Sequence, residues 1–190
     1  MGRVKSLVDS EEGVESFRAR YSILLGVGIR YCDESQWHED RQVREVVISM
    51  IAFIEGGMKI PIGEVTRDYL RAHRLAPIQC APNMFRILGS VDALNEKMGL
   101  GGLTHHDVNW VYNFHHLKGQ GYYLKSRYPE VRLIQCLLES NKGLNKDFLI
   151  LSGEWSDGLP CPTREGEPGG VLGLRYSFIS PFFDLLYFYI

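Results

Sequence analysis

THHDVNWVYNFHHLKGQGYYLKSR, residues 104–127, is the stretch in which the chain changes its period. Thr104 followed by Asp107 has the form of a capping box, with Asp in place of the usual Glu. Val108, Val111, Tyr112 and Leu117 then read as the apolar side of a helix, which Gly119 and Gly121 end. Beyond the glycines, Tyr122-Tyr-Leu-Lys-Ser-Arg127 is aromatic and strand-like. The switch from helical to alternating spacing puts helices before this stretch and strands after it.

Upstream, Val46, Val47, Met50, Ile51 and Ile54 recur at helical spacing, and Gly56-Gly57 supplies a stop. Pro61 suits the first turn of a second helix, over 61–73, with Ile62, Val65, Tyr69 and Leu70 on one face. A connector holding Pro77 leads to Pro82, which opens a third helix over 82–98 along Met84, Ile87 or Leu88, Val91, Leu94 and Met98. Downstream, residues 131–137 can pair with 122–127 as a hairpin, and Asp147-Phe-Leu-Ile-Leu151 forms a third strand. The fold class is therefore α+β: about four helices over 43–117, then a small antiparallel sheet over 122–151. Residues 1–42 read as a loosely ordered polar lead-in with short ordered pieces around Phe17 to Leu25, and 43–155 as the domain. Residues 156–190 read as a Gly/Pro-rich loop followed by a tail, Gly173 to Ile190, so dense in aromatics that it is expected to lie outside the evolved fold.

Composition narrows the function classes. Of 190 residues, 45% are hydrophobic and 23% charged, with a net charge of −2, so the chain as a whole is not drawn to nucleic acid or anionic membrane. Cys32, Cys80, Cys136 and Cys161 are spread widely with no CxxC pair, which reads as reduced thiols in an intracellular protein, nuclear or cytoplasmic. The N-terminal residues show no signal-peptide core, and no stretch is long enough to span a bilayer. No membrane partner is expected.

Chemistry-bearing residues are present but lack the spacing chemistry needs. His105-His106 and His115-His116 are imidazole pairs, and Cys136 and Cys161 could join them, yet no i, i+4 ligand pair occurs. Asp107, Asp147 and Glu154 are the carboxylates a metal-dependent enzyme would recruit, although Asp107 already serves a helix cap. There is no GxSxG elbow and no P-loop; Cys80 and His73 are close in sequence only. No catalytic residue, metal site or cofactor is therefore expected. A helix, a connector, two further helices and a hairpin resemble a winged helix-turn-helix in outline. Lys59, Arg67, Arg71, Arg74 and Arg86 against Glu64 and Asp68 make that stretch locally basic, as a phosphate-contacting surface would be. Against this, the connector is too long for a tight turn, and Asp92 and Glu96 offset Arg86 and Lys97 on the third helix.

Five segments in order carry a family resemblance: Gly57-Met-Lys-Ile-Pro61, Val65-Thr-Arg-Asp-Tyr-Leu70, Leu75-Ala-Pro-Ile-Gln-Cys-Ala-Pro-Asn83, Glu139-Ser-Asn-Lys-Gly143 and Asp147-Phe-Leu-Ile-Leu-Ser-Gly-Glu-Trp155. Residues 47–155 resemble the gypsy-type transposase domain of plant retrotransposon-derived proteins. Within it Gly57 and Pro61 mark a helix stop and restart, Pro77 and Pro82 frame the connector, and Asn83 can satisfy amides at a helix start. Asn141, Lys142 and Gly143 form a turn, and Trp155 is an apolar anchor. The resemblance carries origin, not catalytic residues. It implies a non-catalytic interaction or assembly module of a larger retroelement protein, with other element-encoded proteins as partners. The alternative is a nucleic-acid-binding module on the Lys59–Arg86 surface, and a transposition enzyme ranks third.

Overall fold

The computed structural model describes residues 4–33, 45–99, 102–117, 121–128, 130, 134 and 147–155. The fold is α+β. Its described elements are α1 (Glu11–Arg20), β1 (Val27–Asp33), β2 (Val46–Ser49), α2 (Met50–Ile54), α3 (Glu64–Ala72), α4 (Pro82–Met98), α5 (His105–Val111), β3 (Tyr112–Leu117), β4 (Gly121–Ser126) and β5 (Asp147–Gly153). The predicted tail, residues 131–133 and 135–137 of the predicted hairpin, and Asn141-Lys142-Gly143 lie outside the described residues.

Two small antiparallel sheets flank the helices. In the first, the order is β1-β5-β2, with Val27 opposite Gly153, Asp33 opposite Asp147 and Val46 opposite Leu151. The central strand is apolar almost throughout because both its faces are covered. Leu149 and Leu151 join the main core with Val46 and Ile48, while Phe148 and Ile150 meet Cys32 and Val47 on the other side, against Ile78. Trp155 is buried just past the strand.

Three segments depart from the sequence expectation. Residues 11–33, expected to be loosely ordered, form α1 and β1, so the core draws on residues from both sides of position 43. Ser10 accepts from the Gly13 amide at the start of α1, and Phe17 packs edge-on against Phe53 of α2, ring centroids 5.7 Å apart. The Arg18 guanidinium fastens the turn into β1, donating to the carbonyls of Leu24 (2.6 Å) and Val27 (2.8 Å). Second, Val46–Ser49 is a strand and not the first turns of a helix. Its consecutive β-branched residues are buried on both faces, and helical spacing cannot be told from that pattern. Third, the helix begun at the Thr104 box stops at Val111. Tyr112, Phe114 and His116 continue as β3, so β4 pairs with β3 and β5 joins the other sheet.

α4 opens at Pro82 and ends where Gly99 turns left-handed (φ 59°), as its sequence signals require. Six of its residues, from Pro82 to Val91, are fully covered, whereas Met98 in the last turn is exposed. Asn95 grips the chain beyond it, donating to the Leu103 carbonyl (2.7 Å) and accepting from the Leu103 amide (3.3 Å). Asn83 does not cap the helix: its amide donates to the Leu124 carbonyl (3.2 Å), tying α4 to β4. The same edge of β4, away from β3, also meets the connector, where the Ala81 amide donates to the Tyr122 carbonyl (2.7 Å). Gly121 makes this approach possible, since a Cβ there would lie 2.5 Å from the Gln79 carbonyl oxygen.

Candidate functional site

α3 begins at Glu64, three residues after Pro61, because its N-terminal amides are satisfied from another helix. Asp92 of α4 accepts from the Val65 amide (2.7 Å), the Thr66 amide (3.2 Å) and the Thr66 hydroxyl (2.6 Å). The residue before the helix is Gly63, which has no capping side chain of its own. A Cβ on Gly63 would fall inside the Asp92 carboxylate, 2.8 Å from even the farther oxygen. Asp92, which sequence reasoning placed among the charges opposing a basic surface, is thus a tertiary helix cap. Beside it a cleft of about 180 Å³ lies between the Gly57–Gly63 loop and α4, with Lys59 and Glu96 among its charged walls.

The five basic residues named from the sequence do not form one continuous group. Arg67 and Arg71 both lie against Asp68 (4.0 and 3.4 Å), and the Arg67 side chain is only 17% exposed. Arg74 is the left-handed residue closing α3 (φ 53°): its amide donates to Arg71 and the Leu75 amide to Leu70, a Schellman ending. Lys59 lines the cleft, and Arg86 is half-buried on α4.

The nominated carboxylates hold structure. Asp107 accepts from the Thr104 amide (2.7 Å) and hydroxyl (2.9 Å), which keep its carboxyl below the usual range, so the capping box is real. Asp147 is buried and accepts from the Tyr31 hydroxyl (2.7 Å) and the Val4 amide (3.3 Å), fastening the N-terminal segment to the sheet. Glu154 is exposed past the end of β5. Among the described residues no three His, Cys, Asp or Glu side chains gather as metal ligands; Cys136 and Cys161 lie outside them. Cys32 and Cys80 are buried thiols.

The histidines have aromatic neighbours instead. On its inner face the β3–β4 hairpin continues a column of stacked rings: Tyr69, His73, Phe114 and Tyr122, with centroid spacings of 4.3, 4.9 and 4.8 Å, then His116 tilted at 4.6 Å. Burial pushes the His73 imidazole below its ordinary value, against the Asn109 side chain 3.2 Å from Nε2, with His105 adding a smaller push down. The Tyr69 hydroxyl is fully buried with no hydrogen-bond partner among the described residues, and that burial, with the Cys80 thiol adding to it, drives its pKa up against a smaller downward pull from the Arg127 charge.

The outer face of the hairpin differs in kind. Strand alternation puts Tyr123 and Lys125 on one side of β4, with His115 and Asn113 across the pair, and Arg127 follows one residue past the strand's end. His115 stacks on Tyr123 at 5.5 Å. Arg127 is fixed at the end of the hairpin: its amide donates to the Val111 carbonyl (2.9 Å) and its Nε to the Asn109 carbonyl (3.0 Å). Between those two carbonyls stands Trp110, 80% exposed, the most exposed described aromatic of this region, with Tyr128 at 55%. Sequence reasoning missed this face. The available signal was charge: between Asp107 and Glu130 the sequence contains no acidic residue, yet it holds Lys118, Lys125, Arg127, His115 and His116. No family model, no curated protein and no solved structure matches this chain.

Proposed function

We propose that this domain is a non-catalytic binding module, derived from a transposon-type protein, that presents the outer face of the β3–β4 hairpin and the adjoining end of α5 to a partner. One observation carries the reading. Trp110, in the last turn of α5, holds a large apolar ring in solvent (80% exposed), and Arg127 is tied to the carbonyls of its two chain neighbours, Asn109 and Val111. Trp, Tyr and Arg are the residues that anchor binding surfaces. Two of the three carboxylates that would recruit a catalytic metal are engaged, Asp107 in a helix cap and Asp147 in a buried cluster, and Glu154 stands apart past β5, which favours binding over chemistry. The segments that resemble the plant gypsy-type transposase domain supply core and caps. What they support is a common fold and origin, and an intracellular setting for it. No described helix is long and apolar enough to cross a membrane.

The test separates binding residues from folding residues. Trp110→Ala and Lys125→Ala should each leave stability in urea within about 0.5 kcal/mol of the parent, as for surface positions without a structural partner. A loss above about 2 kcal/mol for Trp110→Ala would make it a core residue and remove the proposed surface. Cleavage of a DNA strand by the full chain with Mg²⁺ or Mn²⁺ would overturn the non-catalytic half of the reading.

A further inference from the structure

The outer hairpin face combines two features that rarely coincide in a chain of net charge −2. First, its charges are of one sign. Lys125 on β4 and Arg127 one residue past its end are both exposed, and among the described residues neither makes an ion pair. No carboxylate occurs between Asp107 and Glu130 to neutralise them. Second, flat rings lie near these cations. Tyr123, half-buried, lies two residues before Lys125 and stacks on His115, and the exposed Trp110 of α5 stands in the chain between the two residues whose carbonyls Arg127 holds. Cations neutralise phosphates, and exposed rings accept unpaired bases face to face.

Resting on the binding-module reading above, we propose that this face binds single-stranded nucleic acid. Trp110 and the Tyr123–His115 pair act as base-stacking platforms, and Lys125 and Arg127 contact the backbone. A duplex fits less well, because its bases are already stacked and the hairpin places no helix where a major groove would need one. An acidic polypeptide would use the two cations but gain nothing specific from the rings. The position of Arg127 is fixed by its bonds to the Val111 and Asn109 carbonyls, so its remaining guanidinium nitrogens meet a strand in a set geometry.

The experiment is fluorescence anisotropy of the full chain with dye-labelled dT20 and an A20 RNA, each with a matching duplex and with poly-glutamate as competitors. Binding should weaken about tenfold between roughly 50 and 200 mM salt if two or three phosphates are contacted. Trp110→Ala should weaken binding at least about fivefold, the lower end for loss of one stacked base. Lys125→Ala should flatten the salt dependence. Three results would overturn the proposal. One is no salt-sensitive binding of either strand. Another is equal competition by poly-glutamate, which would indicate an acidic protein partner. The third is binding that survives Trp110→Ala and Lys125→Ala but is lost in Arg71→Ala. None of these touches the broader binding-module reading, which fails separately if Trp110→Ala destabilises the fold.

Discussion

Replacing Asp92 with Ala removes three hydrogen bonds from the start of α3 at once, those from the Val65 amide, the Thr66 amide and the Thr66 hydroxyl. Val65 and Thr66 are both buried, 4% and 5% exposed, so their donors are left inside the protein. An ordinary helix cap is worth about 1 kcal/mol, and a stranded buried donor costs about 1–3 kcal/mol more. The adjoining cleft admits water to part of the site, which holds the total to about 2–3 kcal/mol. Gly63→Ala attacks the same contact from the other side, because its Cβ would displace the carboxylate; about 2 kcal/mol is expected. The backbone at Gly63 (φ −61°, ψ 160°) is ordinary for alanine, so the cost is steric and conditional. In the Asp92→Ala background the obstruction is gone. Gly63→Ala should then become neutral or stabilise by about 0.4–1 kcal/mol, through a less flexible unfolded chain. The assay is a double-mutant cycle by urea denaturation at constant m-value. Additivity within about 0.5 kcal/mol would refute the tertiary cap.

Three further outcomes follow from the same structure. Tyr69→Phe deletes a buried hydroxyl that has no described partner, so thermal unfolding should show no loss, or a gain of up to about 1 kcal/mol; a loss above about 1 kcal/mol would mean the hydroxyl is bonded. Arg74→Gly places the preferred residue at the left-handed close of α3 and should stabilise by about 0.5–1 kcal/mol in urea; a loss would contradict the Schellman ending. His73, whose pKa is lowered on folding, binds fewer protons folded than unfolded, so its contribution to stability is complete above its ordinary 6.5 and is lost as pH falls below it. Thermal midpoints of the parent and His73→Phe should therefore converge in favour of the variant between about pH 7.5 and 5.5, and a parent that gains on the variant in acid would refute the burial.

The legible parts of the fold are those whose signals are local. Pro82 at the first turn of α4 and Gly99 just past its end bracket the helix in sequence, and the Thr104–Asp107 box sits within four residues. β5 is legible as an apolar run, though not its place between β1 and β2, because pairing partners are far away in sequence. β2 and β3 read as helix in the sequence because Val46-Val-Ile48 and Val108 to Tyr112 are apolar at spacings that both periods accommodate. The cap on α3 was invisible, since its acceptor lies 27 residues from the amide it receives. Sequence pointed to the cations of Lys59 to Arg86 by counting them, while the folded chain engages Arg67 and Arg71 with Asp68 and uses Arg74 to end a helix. Lys125 and Arg127 stand out only once the hairpin sets one on β4 and ties the other to the end of α5.

The central claim is that the outer hairpin face, and not the α3–α4 surface, meets the partner. Amide and indole chemical-shift mapping of the ¹⁵N-labelled chain during titration with dT20 tests it most directly. The account predicts shifts at Tyr123, Lys125 and Arg127 and at the Trp110 indole, with Lys59, Arg71, Arg74 and Arg86 unmoved. Shifts at those four with a silent Trp110 indole would contradict it.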